Sequence, residues 1–135
     1  MKRNSRLSLA LHTLGHMAMT PTKMRTSASI AEHSGTNAVV VRRVLGTLKD
    51  AGLLSSEKGH AGGWRLARKP EDISLADVYL ALGESLVASK VAPNSSDCSL
   101  EDTLQNKVAD VLQDVEKQLV LQLNQTSILD IANTR

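Results

Sequence analysis

The chain has 135 residues, which fits one domain of modest size with one appended element. Hydrophobic residues make up 41% of it and aromatic residues only 1%, so an aromatic core is excluded and an aliphatic core of packed helices is favoured. The net charge is +2, yet residues 1–70 hold 12 Lys and Arg against 3 Asp and Glu, whereas residues 71–135 hold 4 against 11. A half with a charge of +9 predicts a polyanionic partner for that half.

The first helix is predicted over residues 6–19, where Leu7, Leu11, Leu14 and Ala18 recur at helical spacing. Capping residues, glycine turns and apolar spacing predict five further helices, with Thr26 or Ser27 capping the second and Thr36 or Asn37 capping the third. These helices cover about residues 27–34, 37–50, 75–84, 99–124 and 128–132.

Between the third and fourth helices, the sequence pattern changes from a helical period to that of strands. Residues 53–58 and 64–68 are predicted as two strands, joined by a glycine-rich loop over residues 59–63. In the helix that follows, Ala76 and Leu80 can share a face. The sequence therefore predicts a mainly α fold with a small β-hairpin.

Residues 27–46 match two helices joined by a tight turn, as in a helix-turn-helix. Ala31 is small where the two helices must cross closely, and Gly35 suits the left-handed residue that closes a helix. A structural hairpin without a ligand is the alternative.

The third helix has two faces of different character. Val39 and Arg43 project almost opposite its core side, which consists of Val41, Val44, Leu45 and Leu48. In a DNA major groove, arginine can pair with guanine and an apolar side chain can contact the thymine methyl group. This face is therefore predicted to read base edges, although a scattered surface valine would be the simpler interpretation.

The loop over residues 59–63 is predicted to be a wing that reaches phosphates or the minor groove, with a plain hairpin turn as the alternative. Gly46 is expected to let the backbone of the third helix lie close to the duplex. The predicted DNA-binding residues are Ser27, Ser29, Thr36, Asn37, Val39, Val40, Arg42, Arg43, Lys58, His60, Gly62 and Arg65.

The long helix over residues 99–124 carries an apolar stripe that needs a surface to cover it. The sequence pattern alone does not decide whether this stripe packs on its own domain or pairs with a second copy of the chain. The stripe consists of Leu104, Val108, Val111, Leu112, Val115, Leu119 and Leu123.

Cys98 is the single cysteine, so an intrachain disulfide is excluded and a reducing, cytoplasmic location is expected. No apolar run approaches the length of a membrane span, and no signal peptide is expected. An enzyme with Cys98 as its nucleophile is not expected, because no Cys/His/Asn constellation is evident.

Residues 29–82 contain, in order, the helix-turn-helix, Asn-x-Val-Val-Val-Arg-Arg (37–43), Lys-x-Ala-Gly-Leu (49–53), Gly-x-x-Gly-Gly-Trp-Arg-Leu-Ala (59–67) and Ile-Ser-Leu-Ala-Asp-Val (73–78). With these motifs the sequence resembles the Rrf-two family of bacterial winged-helix regulators, the type of IscR, NsrR and CymR, and looks most similar to its YwnA-like branch. The resemblance covers nearly the whole chain.

The resemblance implies a winged helix-turn-helix domain over residues 1–84, a sensor-type loop over 85–98, and a dimerisation helix with a short terminal helix over 99–135. It implies a homodimer that binds a roughly palindromic operator in double-stranded DNA, and a repressor is the leading hypothesis for its function. A winged-helix module that binds protein and not DNA is the alternative.

Family members that bind an iron–sulfur cluster carry three cysteines in the loop before the long helix, but this sequence has only Cys98 there. Because such clusters usually have four thiolate ligands, no cofactor is expected. His12, His16, His33 and His60 are possible ligands in principle, but none has a helpful spacing to Cys98. Cys98 is then either a single-thiol switch for redox or nitrosative stress or a silent residue.

Overall fold

The computed structural model describes residues 6–59, 62–83 and 99–133, which form six α-helices and one two-stranded antiparallel sheet. The predicted class, mainly α with a β-hairpin wing, is confirmed. In chain order the elements are α1 (Arg6–Met19), α2 (Ser27–Ser34), α3 (Ala38–Asp50), β1 (Leu54–Glu57), β2 (Gly63–Leu66), a 3-10 turn (Pro70–Asp72), α4 (Leu75–Leu82), α5 (Ser99–Leu123) and α6 (Ile128–Ala132).

Side-chain caps fix where four of the helices begin. The Thr26 hydroxyl accepts a hydrogen bond from the Ser29 amide at the start of α2, and Asn37 Oδ1 accepts one from the Val40 amide at the start of α3. Ser74 and Ser127 each form a reciprocal capping box with the aspartate three residues later. The caps satisfy amides that have no partner inside a helix, so these boundaries follow from local chemistry.

The core is aliphatic, as the composition predicts. Leu14, Leu45 and Ile73 are fully buried in it, and Tyr79 is the one buried Tyr or Trp among the described residues. Ile128 of α6 is also fully buried, and its amide donates to the Ile73 carbonyl oxygen at 2.9 Å. Helix α6 also packs on α1 and completes this core.

Three details differ from the sequence-based expectation. The strands are shorter than predicted, and Pro70, expected only to stop the second strand, begins the 3-10 turn and is buried. On α4, Ala76 is buried but Leu80 is 59% exposed, so the two do not share a core face. The buried face of α4 also contains Val78, Tyr79 and Leu82. The spacing of apolar residues in so short a helix does not by itself determine which side faces the core.

The predicted loop over residues 85–98, with Cys98, and the wing residue His60 lie outside the described residues. None of the helices in the described ranges combines the length and the apolar character that crossing a membrane requires.

Candidate nucleic-acid interface

A three-residue turn joins α2 to α3. Gly35 adopts the left-handed conformation with φ of 68°, and the Thr36 amide donates to the Ala31 carbonyl oxygen at 3.0 Å. Ala31 is buried, and α2 packs directly on α3. The small residue and the glycine thus act as the helix-turn-helix prediction requires.

The division of α3 into two faces is confirmed. Val41, Val44, Leu45 and Leu48 are all buried, whereas Val39 is 53% exposed. The other exposed side chains on the N-terminal part of the helix are Val40, Arg42 and Arg43. An exposed ridge of methyl groups and guanidinium groups is therefore fixed on a helix whose other side is held in the core.

The polar residues predicted to bind DNA at the starts of α2 and α3 differ in how many of their side-chain atoms remain available for a ligand. The side-chain oxygen of Asn37 caps α3, so its amide nitrogen remains as a donor that suits a phosphate better than a bidentate adenine contact. Ser29 is exposed, and its hydroxyl donates to the Thr26 carbonyl oxygen at 3.0 Å. Thr36 is half-buried, and Ser27 is half-buried under the indole of Trp64.

The hairpin has a register in which Leu54 pairs with Leu66 and Glu57 pairs with Gly63. Lys58 is exposed at its tip, and Arg65 Nη2 lies 3.3 Å from Glu57 Oε1. Because both partners of this ion pair are about half exposed, the pair adds little stability and the guanidinium can exchange to a phosphate.

Two glycines of the hairpin, including the predicted DNA-binding residue Gly62, have a structural role. A Cβ atom on Gly62 would collide with the Glu57 carbonyl group, and one on Gly63 would lie 2.5 Å from the Arg25 carbonyl oxygen. Gly63 also has φ of 144°, which favours glycine. The wing therefore needs both glycines for its own folding.

Trp64 attaches the wing to the helix-turn-helix, a role that the sequence analysis missed. Its backbone pairs with Arg25 through two hydrogen bonds of 3.0 and 2.7 Å, and its indole Nε1 donates to the Ser27 hydroxyl at 2.9 Å. Lys49 Nζ at the end of α3 donates to the Ser56 hydroxyl at 2.9 Å. The sequence showed only that Trp64 lies in a predicted strand. It could not identify the partners of Trp64, because they lie 37 or more residues away in the chain.

The predicted dimer stripe divides into two parts. Leu104, Val108, Val111 and Val115 are exposed, and none of the 25 residues of α5 is buried. Leu119 and Leu123 pack partly against the chain's own core, while Leu112 is half-buried. The Tyr79 hydroxyl donates to the Glu116 carboxylate, so the C-terminal half of α5 is the part held by the domain.

Three histidines that the sequence analysis considered only against Cys98 meet each other instead. His12 and His16 are one turn apart on α1, and His33 reaches them from α2. The spacing of four residues between His12 and His16 is a signal in the sequence, but the third member becomes visible only in the fold.

Comparison with known proteins gives the same architecture and a regulatory family. YwnA of Bacillus subtilis, described as an HTH-type transcriptional regulator, is 36% identical over 132 residues and spans 96% of each chain. A crystal structure described as that of a DNA-binding protein is 32% identical, has a TM-score of 0.77, and covers 96% of this chain and all of that one. The global cysteine regulator CymR of B. subtilis shares the fold, with a TM-score of 0.67 at 20% identity over 100% of this chain and 98% of that one.

A family model described as Rrf2, iron-dependent transcriptional regulator, matches residues 3–134. Iron in the form of a thiolate-bound cluster does not fit the donors of this chain, because it holds one cysteine and two copies would supply only two thiolates. The match nevertheless extends over almost the whole sequence and agrees with the relatives and the fold. The chain therefore belongs to the Rrf2 family of transcriptional regulators.

Proposed function

We propose that this regulator binds a palindromic operator in double-stranded DNA as a homodimer and acts as a repressor. In this proposal α3 lies in the major groove and the wing over residues 58–65 lies in the adjacent minor groove. The observation that carries the proposal is the exposed ridge of Val39, Val40, Arg42 and Arg43 on a helix held rigidly by its opposite face.

Base reading is supported by the chemistry of this ridge. Arg43 can donate a bidentate pair to guanine, and Val39 can contact a thymine methyl group. A Cβ atom on Gly46, one turn further along α3, would meet no other atom within 4 Å, so the helix is open at that position. The backbone of α3 can therefore approach the duplex closely.

Phosphate contacts are supported by the surrounding donors. The amide nitrogen of Asn37 and the Ser29 side chain lie at the starts of the two helices, where amide groups and the helix dipole favour anions. Lys58 and Arg65 place positive charge on the wing. Because Trp64 holds the wing against α2, the two contact regions have a fixed relative position.

The second copy is supported by the exposed half of α5. Its four exposed stripe residues recur at helical spacing, and Lys107, Val108, Val111 and Leu112 line a shallow groove. A second α5 offers matching apolar side chains, and two-fold pairing would present two α3 helices to two half-sites. A response to oxidants through Cys98 stays a prediction from the sequence.

Selection of bound duplexes from a random pool, followed by affinity measurements, tests this function. Arg43→Ala should lower the preference for the selected site over random DNA by about five- to 150-fold, because a bidentate base contact contributes roughly 1–3 kcal/mol. Lys58→Ala is the matched control, since it should weaken all duplexes equally and reduce the salt slope by about 1.

An Arg43→Ala variant with the wild-type preference would contradict the assignment of α3. Selection of no duplex, with no salt-dependent DNA binding, would instead favour the protein-binding module.

A further inference from the structure

We infer that His12, His16 and His33 form a binding site for one divalent transition-metal ion of the Zn²⁺ type, placed between α1 and α2. One ring nitrogen from each histidine lies within 4.8 Å of the other two. Within the described ranges, no other group of three histidine, cysteine or carboxylate side chains converges in this way. These three residues are called the histidine cluster below.

The backbone of α1 and α2 positions the histidine cluster. His12 and His16 are separated by four residues on α1, the spacing that places two imidazoles on one helix face for a shared metal. His33 lies in the last turn of α2. The ring centroids of His16 and His33 are 4.5 Å apart, and those of His12 and His16 are 4.6 Å apart.

The two nearest ring nitrogens require little movement to accommodate an ion. The Nε2 atoms of His16 and His33 lie 3.0 Å apart. Two nitrogens on one tetrahedral zinc, each about 2.0–2.1 Å from it, are roughly 3.3 Å apart. A separation of these two rings by a few tenths of an ångström, with an approach of the His12 nitrogen by up to about 1.5 Å, would therefore satisfy three coordination positions. His12 and His33 are exposed, which leaves their side chains room for this adjustment.

The donor set selects the type of ion. Imidazole nitrogen suits Zn²⁺, Cu²⁺, Ni²⁺ and Fe²⁺, whereas Mg²⁺ and Ca²⁺ prefer oxygen ligands. Three histidines with one open position form a zinc arrangement that is typical of sites where a water or another small ligand completes the tetrahedron. The site requires no cysteine and is thus distinct from a thiolate-bound cluster.

The surroundings indicate what completes the coordination. All three histidines line a cavity of about 400 Å³ that Lys23 and Arg25 also border. In the wall of this cavity, Thr13 Oγ1 and Arg25 Nε are buried and have no hydrogen-bond partner in the described part of the chain. Positive charge reduces the affinity for a bare cation but favours an anionic fourth ligand, so hydroxide or a small anion fits the open position.

An ion at this site would strengthen the link between α1 and α2, which the His16 and His33 rings already form by direct contact. His33 is two residues before Gly35, and α2 packs directly on α3. Metal binding would therefore restrain α2, the helix on which α3 packs. This consequence for operator affinity depends on the proposed function, whereas the metal site itself does not.

Titration of the metal-free protein with Co²⁺ tests the site, because four-coordinate Co²⁺ with three imidazole ligands and one further ligand absorbs visible light. We expect one Co²⁺ per chain, displaced by Zn²⁺. His33→Gln and His12→Gln should each raise the Kd for Co²⁺ by about 100-fold or more, since loss of even an outer-shell partner costs about 10–100-fold. His60→Gln, which removes the histidine outside the cluster, is the matched control for the metal count.

Thermal unfolding gives a second readout that does not depend on colour. Zn²⁺ should raise the Tm of the wild type and of His60→Gln, but not that of His33→Gln. The circular dichroism spectrum of each variant in the absence of metal shows whether it folds. Absence of stoichiometric Co²⁺ binding by the folded wild type, or equal binding by His33→Gln, would overturn the site.

Operator affinity measured with and without Zn²⁺ separates this inference from the proposed function. A change in the wild type that is absent in His33→Gln supports the link to α3, and equal affinities overturn that link. A chain that binds Co²⁺ but no duplex would refute the proposed function and leave the metal site in place.

Discussion

Helices α3 and α5 use their apolar residues in opposite ways. In α3, four aliphatic side chains are buried in the domain, and what remains exposed is a short ridge of valines and arginines. In α5, no residue is buried, and Val111 is 61% exposed in an apolar stripe. A helix whose core face is already covered is available for a ligand, whereas a helix whose apolar face is uncovered needs a partner of the same character.

The charges of the two helices strengthen the comparison. Helix α3 lies in the half of the sequence with a charge of +9, and α5 lies in the half with a charge of −7. A polyanion is attracted to the first and repelled by the second. This difference supports the proposal that α3 contacts nucleic acid and that α5 contacts a second copy of the chain.

The largest expected effect is on the free energy of unfolding, and it compares a leucine of α3 with a leucine of α5. Leu45→Ala should lower the free energy of unfolding by about 2–5 kcal/mol, because it leaves a cavity under α3. Leu104→Ala removes the same atoms from a side chain that is 57% exposed, and at low protein concentration the change should stay within about 0.5 kcal/mol. Urea denaturation measures both, and equal losses would contradict the different burial of the two helices.

The next effect concerns the partner of α5. Placing carboxylates in the stripe with the double variant Val108→Glu and Val111→Glu should raise the dimer dissociation constant by about 100-fold or more, because unpaired charges are costly to bury. Gln113→Glu is the matched control, since 100° per residue places Gln113 on the opposite side of α5.

Sedimentation gives the dissociation constants, and circular dichroism reports whether the helices persist. A double variant that dimerises as well as Gln113→Glu would show that the stripe is not the interface.

The smallest expected effects compare alanine substitutions of one glycine in the wing and one glycine in α3. Gly63→Ala should lower the free energy of unfolding by about 1–3 kcal/mol, because φ is 144° and the new Cβ atom would meet the Arg25 carbonyl group. Gly46→Ala should raise it by roughly 0.5–1 kcal/mol, since alanine is the better helix former and the position is open.

Gly46→Ala should at the same time weaken operator binding, because it adds a methyl group to the face proposed to approach DNA. Chemical denaturation and duplex titration measure the two effects. Stability and DNA affinity that change in the same direction in Gly46→Ala would contradict the proposed close approach of α3.

Most element boundaries could be predicted because they depend on neighbours in the sequence. Thr26, Asn37, Ser74 and Ser127 cap helices through bonds to residues three positions later, and Gly35 ends α2 by its own backbone conformation. The faces of α3 followed in the same way from its period of 3.6 residues. Leu80 was assigned less well, since eight residues of α4 leave the direction of packing open.

By itself, the sequence determined the order of the helices, the two faces of α3 and the separation of charge, because capping, periodicity and composition act over a few residues. Only the tertiary structure decided that Trp64 holds the wing to Ser27, that Ile128 closes the core, and that His33 meets His12 and His16. Those contacts join residues 17 or more positions apart, and packing sets their geometry through many weak interactions that no local pattern encodes.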